Sequence, residues 1–141
     1  MNTVYLDNAA TTAVRPEVVD AISTSLLTNY GNPSSVYGLG RQAKNALELA
    51  RKSIAKSLNV SSQEIIFCSG GTEADNWALT EAVKTLKVKR IISAKTEHHA
   101  VLHTLEHLIK EFGVEVAFVK LKQNGSIDIS DLYELPSDDK K

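Results

Sequence analysis

Several features are scarce in this sequence of 141 residues. It contains one cysteine, Cys68, which excludes an internal disulfide and a zinc site with several cysteine ligands. Its 16 Lys and Arg face 17 Asp and Glu, so no basic excess exists to neutralise the phosphates of a nucleic acid. No apolar run is long enough to cross a membrane, and residues 1–7 lack the basic and apolar regions of a signal peptide. We therefore expect a cytoplasmic protein without direct nucleic-acid or membrane partners.

The order of the predicted elements indicates the fold class. Apolar runs and apolar periodicity predict strands at Val4–Leu6, Glu64–Cys68, Arg90–Ala94 and Val114–Leu121, and helices from Pro16, over Arg41–Leu58, Glu73–Leu86 and His98–Phe112, and after a Ser130 cap. This alternation is typical of an α/β, three-layer fold with a mainly parallel sheet. Three core strands are few for a sheet covered on both faces, so we expect the front portion of a larger protein.

The turn after the strand Glu64–Cys68 is a candidate phosphate-binding site. Its sequence is Ser-Gly-Gly-Thr, ending at Thr72, and a helix follows. Glycine lets the backbone approach a ligand, and the first N–H groups of a helix stabilise an anion. In the alternative interpretation, Thr72 only caps the helix, and the local pattern leaves both open. Gly38-Leu39-Gly40 is a poorer candidate because no strand precedes it, and we interpret it as a loop.

Four histidines lie close together at the start of the fourth predicted helix. His103, Glu106 and His107 fit the H-x-x-E-H pattern of some metalloproteases. With His99 at zero on a helical wheel, His103 and His107 fall at about 40° and 80°, whereas the apolar residues centre near about 235°. These three histidines are therefore expected to face solvent, which favours a solvated face over a metal site.

His98 differs from its neighbours in its predicted orientation. It falls near about 260° on the same wheel, toward the sheet, and it follows a strand at the edge where open α/β sheets bind ligands. A neutral imidazole at this edge can stack on a planar cofactor ring or carry a proton. The alternative is a capping or buried structural histidine. Cys68, in a buried strand, is expected to be a core residue.

Taken together, five motifs resemble the opening of the cysteine desulfurases, which are pyridoxal-phosphate enzymes of the class V aminotransferase group with fold type I. The motifs, in order, are Tyr5–Thr12, Gly31–Ser35, Ser69–Asn76, Thr96–Leu102 and Asn124–Asp128. The resemblance implies that Gly71 and Thr72 hold the phosphate of pyridoxal 5'-phosphate. It also implies that His98 stacks on the pyridine ring and is a candidate catalytic proton carrier.

The resemblance further implies a substrate and partners. Such enzymes take sulfur from L-cysteine and leave alanine and an enzyme persulfide, whose sulfur passes to an acceptor protein such as an iron–sulfur scaffold, or to tRNA thiolation. The complete protein would be a homodimer. Residues 1–30 would be an N-terminal segment that belongs in part to the small domain, and residues 31–141 the front part of the large, cofactor-binding domain.

The family's remaining catalytic residues have no counterpart here. The resemblance implies that four catalytic residues lie beyond Lys141. They are the Schiff-base lysine, the aspartate that pairs with the pyridine nitrogen, the arginine that binds the substrate carboxylate and the persulfide cysteine. Cys68 does not replace the persulfide cysteine. We therefore expect residues 1–141 alone to be inactive. The alternatives are a non-catalytic phosphate-binding or interaction module that pairs with another chain, a metal hydrolase, and a selenocysteine-cleaving or other class V enzyme.

Overall fold

The computed structural model describes residues 3–135, which divide into two compact units between Ile66 and Phe67. The chain-end segment Pro136–Lys141 lies outside the described residues. Among residues 3–135, none of the helices combines the length and apolar character needed to cross a bilayer. The predicted boundary after residue 30 stays a prediction.

The first unit is built from two helices and a short 3₁₀ turn. Helix α1 spans Pro16–Thr28 and α2 spans Gly38–Leu58, followed by the 3₁₀ turn Ser62–Glu64. The proline opens α1 as predicted, because its missing N–H would have no helical partner there. Gln42 on α2 donates a hydrogen bond to the Thr28 carbonyl over 3.0 Å. The carbonyl at the end of α1 therefore finds a partner on α2.

The start of α2 corrects the predicted loop at Gly38-Leu39-Gly40, since these three residues are the first three of the helix. The reason for a glycine here is close packing. A Cβ added at Gly40 would lie 2.5 Å from the Ser35 carbonyl oxygen and 2.7 Å from that of Asn32, whereas one at Gly38 would meet nothing within 4 Å. Gly40 therefore lets the preceding loop lie directly against the helix.

The second unit is a parallel βαβ arrangement with an additional helix on each side in sequence. Helix α3 (Gly71–Lys84) precedes strand β1 (Arg90–Ala94), helix α4 (His99–Phe112), strand β2 (Glu115–Val119) and helix α5 (Ile129–Glu134). The strands pair in parallel, with Ile92 opposite Ala117. The core consists of buried and half-buried apolar residues: Leu79, Val83, Ile91, Leu105, Leu108, Val114 and Val116. The predicted α/β class with a parallel sheet is confirmed.

Two predicted strands are absent among the described residues. Neither Val4–Leu6 nor Glu64–Cys68 forms a strand, and the sheet has two strands where three were expected. Ile66 is 59% and Phe67 44% exposed, and Cys68 is only half-buried, so its assignment to the core is wrong. The physical reason is that a strand forms by pairing with a neighbouring strand, and within residues 3–135 the sheet places no strand beside these segments.

The segment after β2 folds back on the end of that strand. The predicted turn at Asn124–Gly125 is confirmed, with Gly125 at φ 80°. Helix α5 is capped by Asp128, which accepts the Ser130 N–H over 3.0 Å, so the predicted Ser130 cap is wrong. Asp131 accepts the Lys120 backbone N–H over 2.8 Å, and its other oxygen lies 2.6 Å from Lys120 Nζ. The Lys120 ammonium and N–H lower the pKa of the Asp131 carboxyl.

Candidate functional site

The N-terminus of α3 is open toward solvent. Gly70 is the N-cap residue, and no side chain caps the helix. A Cβ at Gly70 or Gly71 would meet nothing within 4 Å, so free space lies beside both glycines. The first N–H groups of a helix have no partner within it and carry partial positive charge. This end of the helix can therefore accept an anionic group.

Thr72 lies inside the first turn of α3 and is not its N-cap. The alternative interpretation, in which Thr72 caps the helix, is therefore wrong. As the second residue of the helix it belongs to the first turn, whose N–H groups have no partner within the helix. A phosphate placed there would have both a hydroxyl and backbone N–H donors available.

Glu73 stabilises the turn that precedes α3. Its carboxylate, at the third helical position, accepts the backbone N–H of Ser69, the residue before the N-cap, over 2.6 Å. Hydrogen bonding to Ser69 lowers the pKa of the Glu73 carboxyl. This bond fixes the backbone on the N-terminal side of the two glycines.

His98 is the N-cap of α4. Its Nδ1 accepts the backbone N–H of Ala100 over 3.1 Å, and the side chain is exposed. Since Nδ1 is the acceptor, the proton of the neutral ring lies on Nε2, which is left as a donor. The alternative interpretation, in which His98 caps the helix, is thus correct, and it accounts for Nδ1. A capping bond to one ring nitrogen still leaves Nε2–H and the ring faces available for a ligand.

One open groove brings Thr72 and His98 together. It has a volume of 420 Å³ and is lined by residues of α3 and of the first turns of α4: Thr72, Asn76, His98, His99, Ala100, His103, Thr104 and His107. Gly71 does not line the groove but immediately precedes Thr72. The predicted phosphate end and the predicted ring end of the site therefore open onto the same space.

The spaced histidines follow the helical wheel. His99, His103 and His107 are exposed, while the buried residues of α4 are Ala100, Thr104, Leu105 and Leu108. The rings of His99 and His103 have centroids 5.4 Å apart. Within the described residues, no group of three His, Cys, Asp or Glu side chains could hold a metal ion. The predicted orientation of these three histidines toward solvent agrees with their exposure.

The helical wheel predicts the wrong orientation for His98. Its ring lines the groove with the other histidines, with its centroid 6.1 Å from that of His99, instead of facing the sheet apart from them. An N-cap residue has extended backbone, here φ −64° and ψ 150°, so helical phase does not describe its direction.

Sequence reasoning also missed Asn76 and Thr104. Both line the groove, and their side chains are hydrogen-bonded to each other over 2.6 Å. The only signal was a polar residue at each of two helix positions that face one another. The hydrogen bond between them depends on how α3 packs against α4, which the sequence pattern does not predict.

Comparisons with known proteins identify what this arrangement resembles. The profile of the family described as aminotransferase class-V matches residues 4–141. The chain is 44% identical over 138 residues to the cysteine desulfurase IscS of Methanosarcina thermophila, and 41% identical over 138 residues to that of Clostridium botulinum strain Kyoto. Both alignments cover 96% of this chain and 34% of the relative, so the chain spans about a third of these relatives.

Solved structures of NifS-like and related proteins are also similar to this chain. A NifS-like protein superposes with a TM-score of 0.86 at 36% identity, over 94% of this chain and 36% of that one. DndA from Streptomyces lividans superposes with a TM-score of 0.76 at 35% identity, over 95% of this chain and 38% of that one.

Proposed function

Because the chain belongs to the class-V aminotransferase family, whose members depend on pyridoxal phosphate, we propose that it is the N-terminal third of a cysteine desulfurase. Such an enzyme converts L-cysteine to alanine and transfers the sulfur to a cysteine of its own as a persulfide. Support comes from relatives named cysteine desulfurases at 41–44% identity. The observation that carries the proposal is the groove shared by Thr72 and His98.

The residues present fit the cofactor at both of its ends. The phosphate would bind at the open start of α3, held by the N–H groups of Gly71 and Thr72 and by the Thr72 hydroxyl. The pyridine ring would lie against His98. When bound, the cofactor supplies the electron sink that makes cleavage of the carbon–sulfur bond accessible.

His98 has two roles in this proposal. Its Nδ1 holds the first turn of α4 through Ala100, which fixes the ring position. Its Nε2 is then the atom that can hold or donate a proton at the reacting centre.

The complete protein would have further parts. We propose that residues 1–30 form an N-terminal segment partly in the small domain and that residues 31–141 begin the large domain. The lysine that binds the cofactor and the persulfide cysteine would come from later residues. The enzyme would act in the cytoplasm as a homodimer and would pass sulfur to an acceptor protein such as an iron–sulfur scaffold.

The test is alanine formation by the longer protein that contains this chain. We expect the purified protein, supplied with pyridoxal phosphate and a thiol, to form alanine from L-cysteine. Residues 1–141 alone should form none, because they lack a lysine in the Schiff-base context. Absence of alanine from the longer protein contradicts the proposal, and activity with selenocysteine but not cysteine would favour the narrower alternative.

A further inference from the structure

A polar connection joins the two ends of the groove beneath its surface. On α3, the Asn76 amide nitrogen donates to the Thr72 carbonyl over 2.7 Å. On α4, the Thr104 hydroxyl lies 2.7 Å from the Ala100 carbonyl oxygen and 2.6 Å from Asn76 Oδ1. The Asn76 amide nitrogen also reaches the Ala100 carbonyl, at a long 3.5 Å. The two helices thus meet through side-chain amide and hydroxyl groups.

The donors and acceptors of this connection allow one orientation of the Asn76 amide. The Thr72 and Ala100 carbonyls can only accept, so the amide nitrogen must face them. Its oxygen then faces the Thr104 hydroxyl, which donates to it and shares its proton with the Ala100 carbonyl. Thr104 is only 4% exposed. Removing the partner of a hydroxyl that is this buried lowers the stability of the folded protein.

The connection ends at Thr72 on α3 and at Ala100 on α4, the residue whose N–H is bonded to His98. One terminus is the carbonyl of Thr72, a residue that lines the groove. The other is the carbonyl of Ala100, whose own N–H is held by His98 Nδ1 over 3.1 Å. A short path of hydrogen bonds therefore runs from the phosphate end of the groove to its histidine.

We propose that Asn76 and Thr104 are positioning residues that hold the phosphate-binding turn at a fixed distance from His98. The inference rests on the proposed function and extends it to two residues that do not themselves bind the cofactor. A ligand that spans both ends of the groove depends on that distance. A ligand that occupies only the start of α3 does not.

This difference supplies the experiment, which uses the longer protein without bound cofactor. Thr104→Val removes the hydroxyl with little change of shape, and Thr104→Ser restores the hydroxyl. Two probes are compared: inorganic phosphate, which contacts only the α3 end, and pyridoxal phosphate, which spans the groove. Thr24→Val, on the exposed surface of α1, is the matched control.

We expect Thr104→Val to raise the dissociation constant for pyridoxal phosphate about tenfold, the order set by one unpaired buried partner. Affinity for inorganic phosphate should stay within about twofold of the parent protein, and Thr104→Ser should restore the affinity for pyridoxal phosphate. The circular dichroism of the bound cofactor should change in the valine variant, because its ring sits differently against His98.

Other outcomes overturn the inference. If Thr104→Val lowers the unfolding temperature but binds both probes as the parent does, the connection is merely structural. Equal weakening of both probes leads to the same conclusion. If the valine variant does not fold, Asn76→Ala decides by the same comparison of the two probes. A parent protein that binds phosphate but no pyridoxal phosphate overturns the proposed function as well.

Discussion

At the scale of single residues, Thr72 is where the proposed function is most directly testable. We expect Thr72→Ala in the longer protein to raise the dissociation constant for pyridoxal phosphate about tenfold, by loss of one hydrogen bond to a charged group. Because Gly70 is the N-cap of α3, the free energy of unfolding should change by less than about 0.5 kcal/mol. Cofactor titration and urea unfolding measure the two quantities. Thr72→Ser is the matched control, and unchanged cofactor affinity in the alanine variant would contradict the proposal.

Glu73 gives a prediction about pH. The Ser69 hydrogen bonds lower its pKa below the usual 4.5, so the folded state is stabilised by the ionised carboxylate. This stabilisation is present above pH 4.5 and is lost as the pH falls through the lowered pKa. Glu73→Gln should therefore be less stable than the parent at neutral pH, and the difference should shrink on acidification. Urea unfolding from neutral to acidic pH tests this, and a difference independent of pH would count against it.

Single residues also show what local pattern can and cannot predict. The sequence was sufficient to select Gly71 and Thr72 as candidates, because an anion site needs only a glycine turn and a helix start. It also selected His98, because this residue follows a strand at the edge where open α/β sheets bind ligands. It left the capping role of His98 as one alternative among others, and it did not reveal that Asn76 meets Thr104. Those facts depend on the backbone angles of one residue and on the packing of two helices.

At the scale of elements, helices were predicted better than strands. Helices α1, α3 and α4 follow from apolar periodicity and start signals that lie within the segment itself. Helix α1 begins at the predicted Pro16, and the observed bounds of α3 and α4 are within about two residues of the prediction. The prediction of a strand at Glu64–Cys68 was wrong, because an apolar run does not indicate whether a neighbouring strand is present to pair with it. β1 and β2 were right because each supplies the other's partner.

The start of α2 carries a prediction about the loop that packs on it. Gly40→Ala forces a Cβ to within 2.7 Å of two carbonyl oxygens, at Asn32 and Ser35, so the loop or the helix must shift. We expect a loss of about 1–3 kcal/mol in the free energy of unfolding. Gly38→Ala, two residues earlier in the same helix, is the matched control and should be neutral or slightly stabilising. Urea unfolding compares the two, and equal stabilities would contradict the close approach.

At the scale of the whole molecule, the described residues leave much apolar surface uncovered. All residues of α1 are exposed, including its predicted apolar stripe, in which Leu26 is 72% exposed. In the second unit Phe67 and Ile92 are exposed as well. Single exposed apolar side chains are ordinary, but whole faces of this kind are typical of surfaces that other parts of a protein cover. They are consistent with a chain that spans about a third of its relatives.

This uncovered surface gives a test of the hypothesis that residues 1–141 belong to a larger enzyme. If residues 1–141 are the first third of a larger enzyme, then expressed alone they should bind an apolar fluorescent dye strongly and self-associate as concentration rises, because the apolar face of α1 is exposed. The longer protein should bind much less dye and show a defined oligomeric state. Dye fluorescence and light scattering on both proteins, at matched concentrations, measure this. A monomeric, dye-silent chain of residues 1–141 would instead mean that the chain covers its own apolar faces, and this result would contradict the hypothesis that the rest of a larger enzyme covers them.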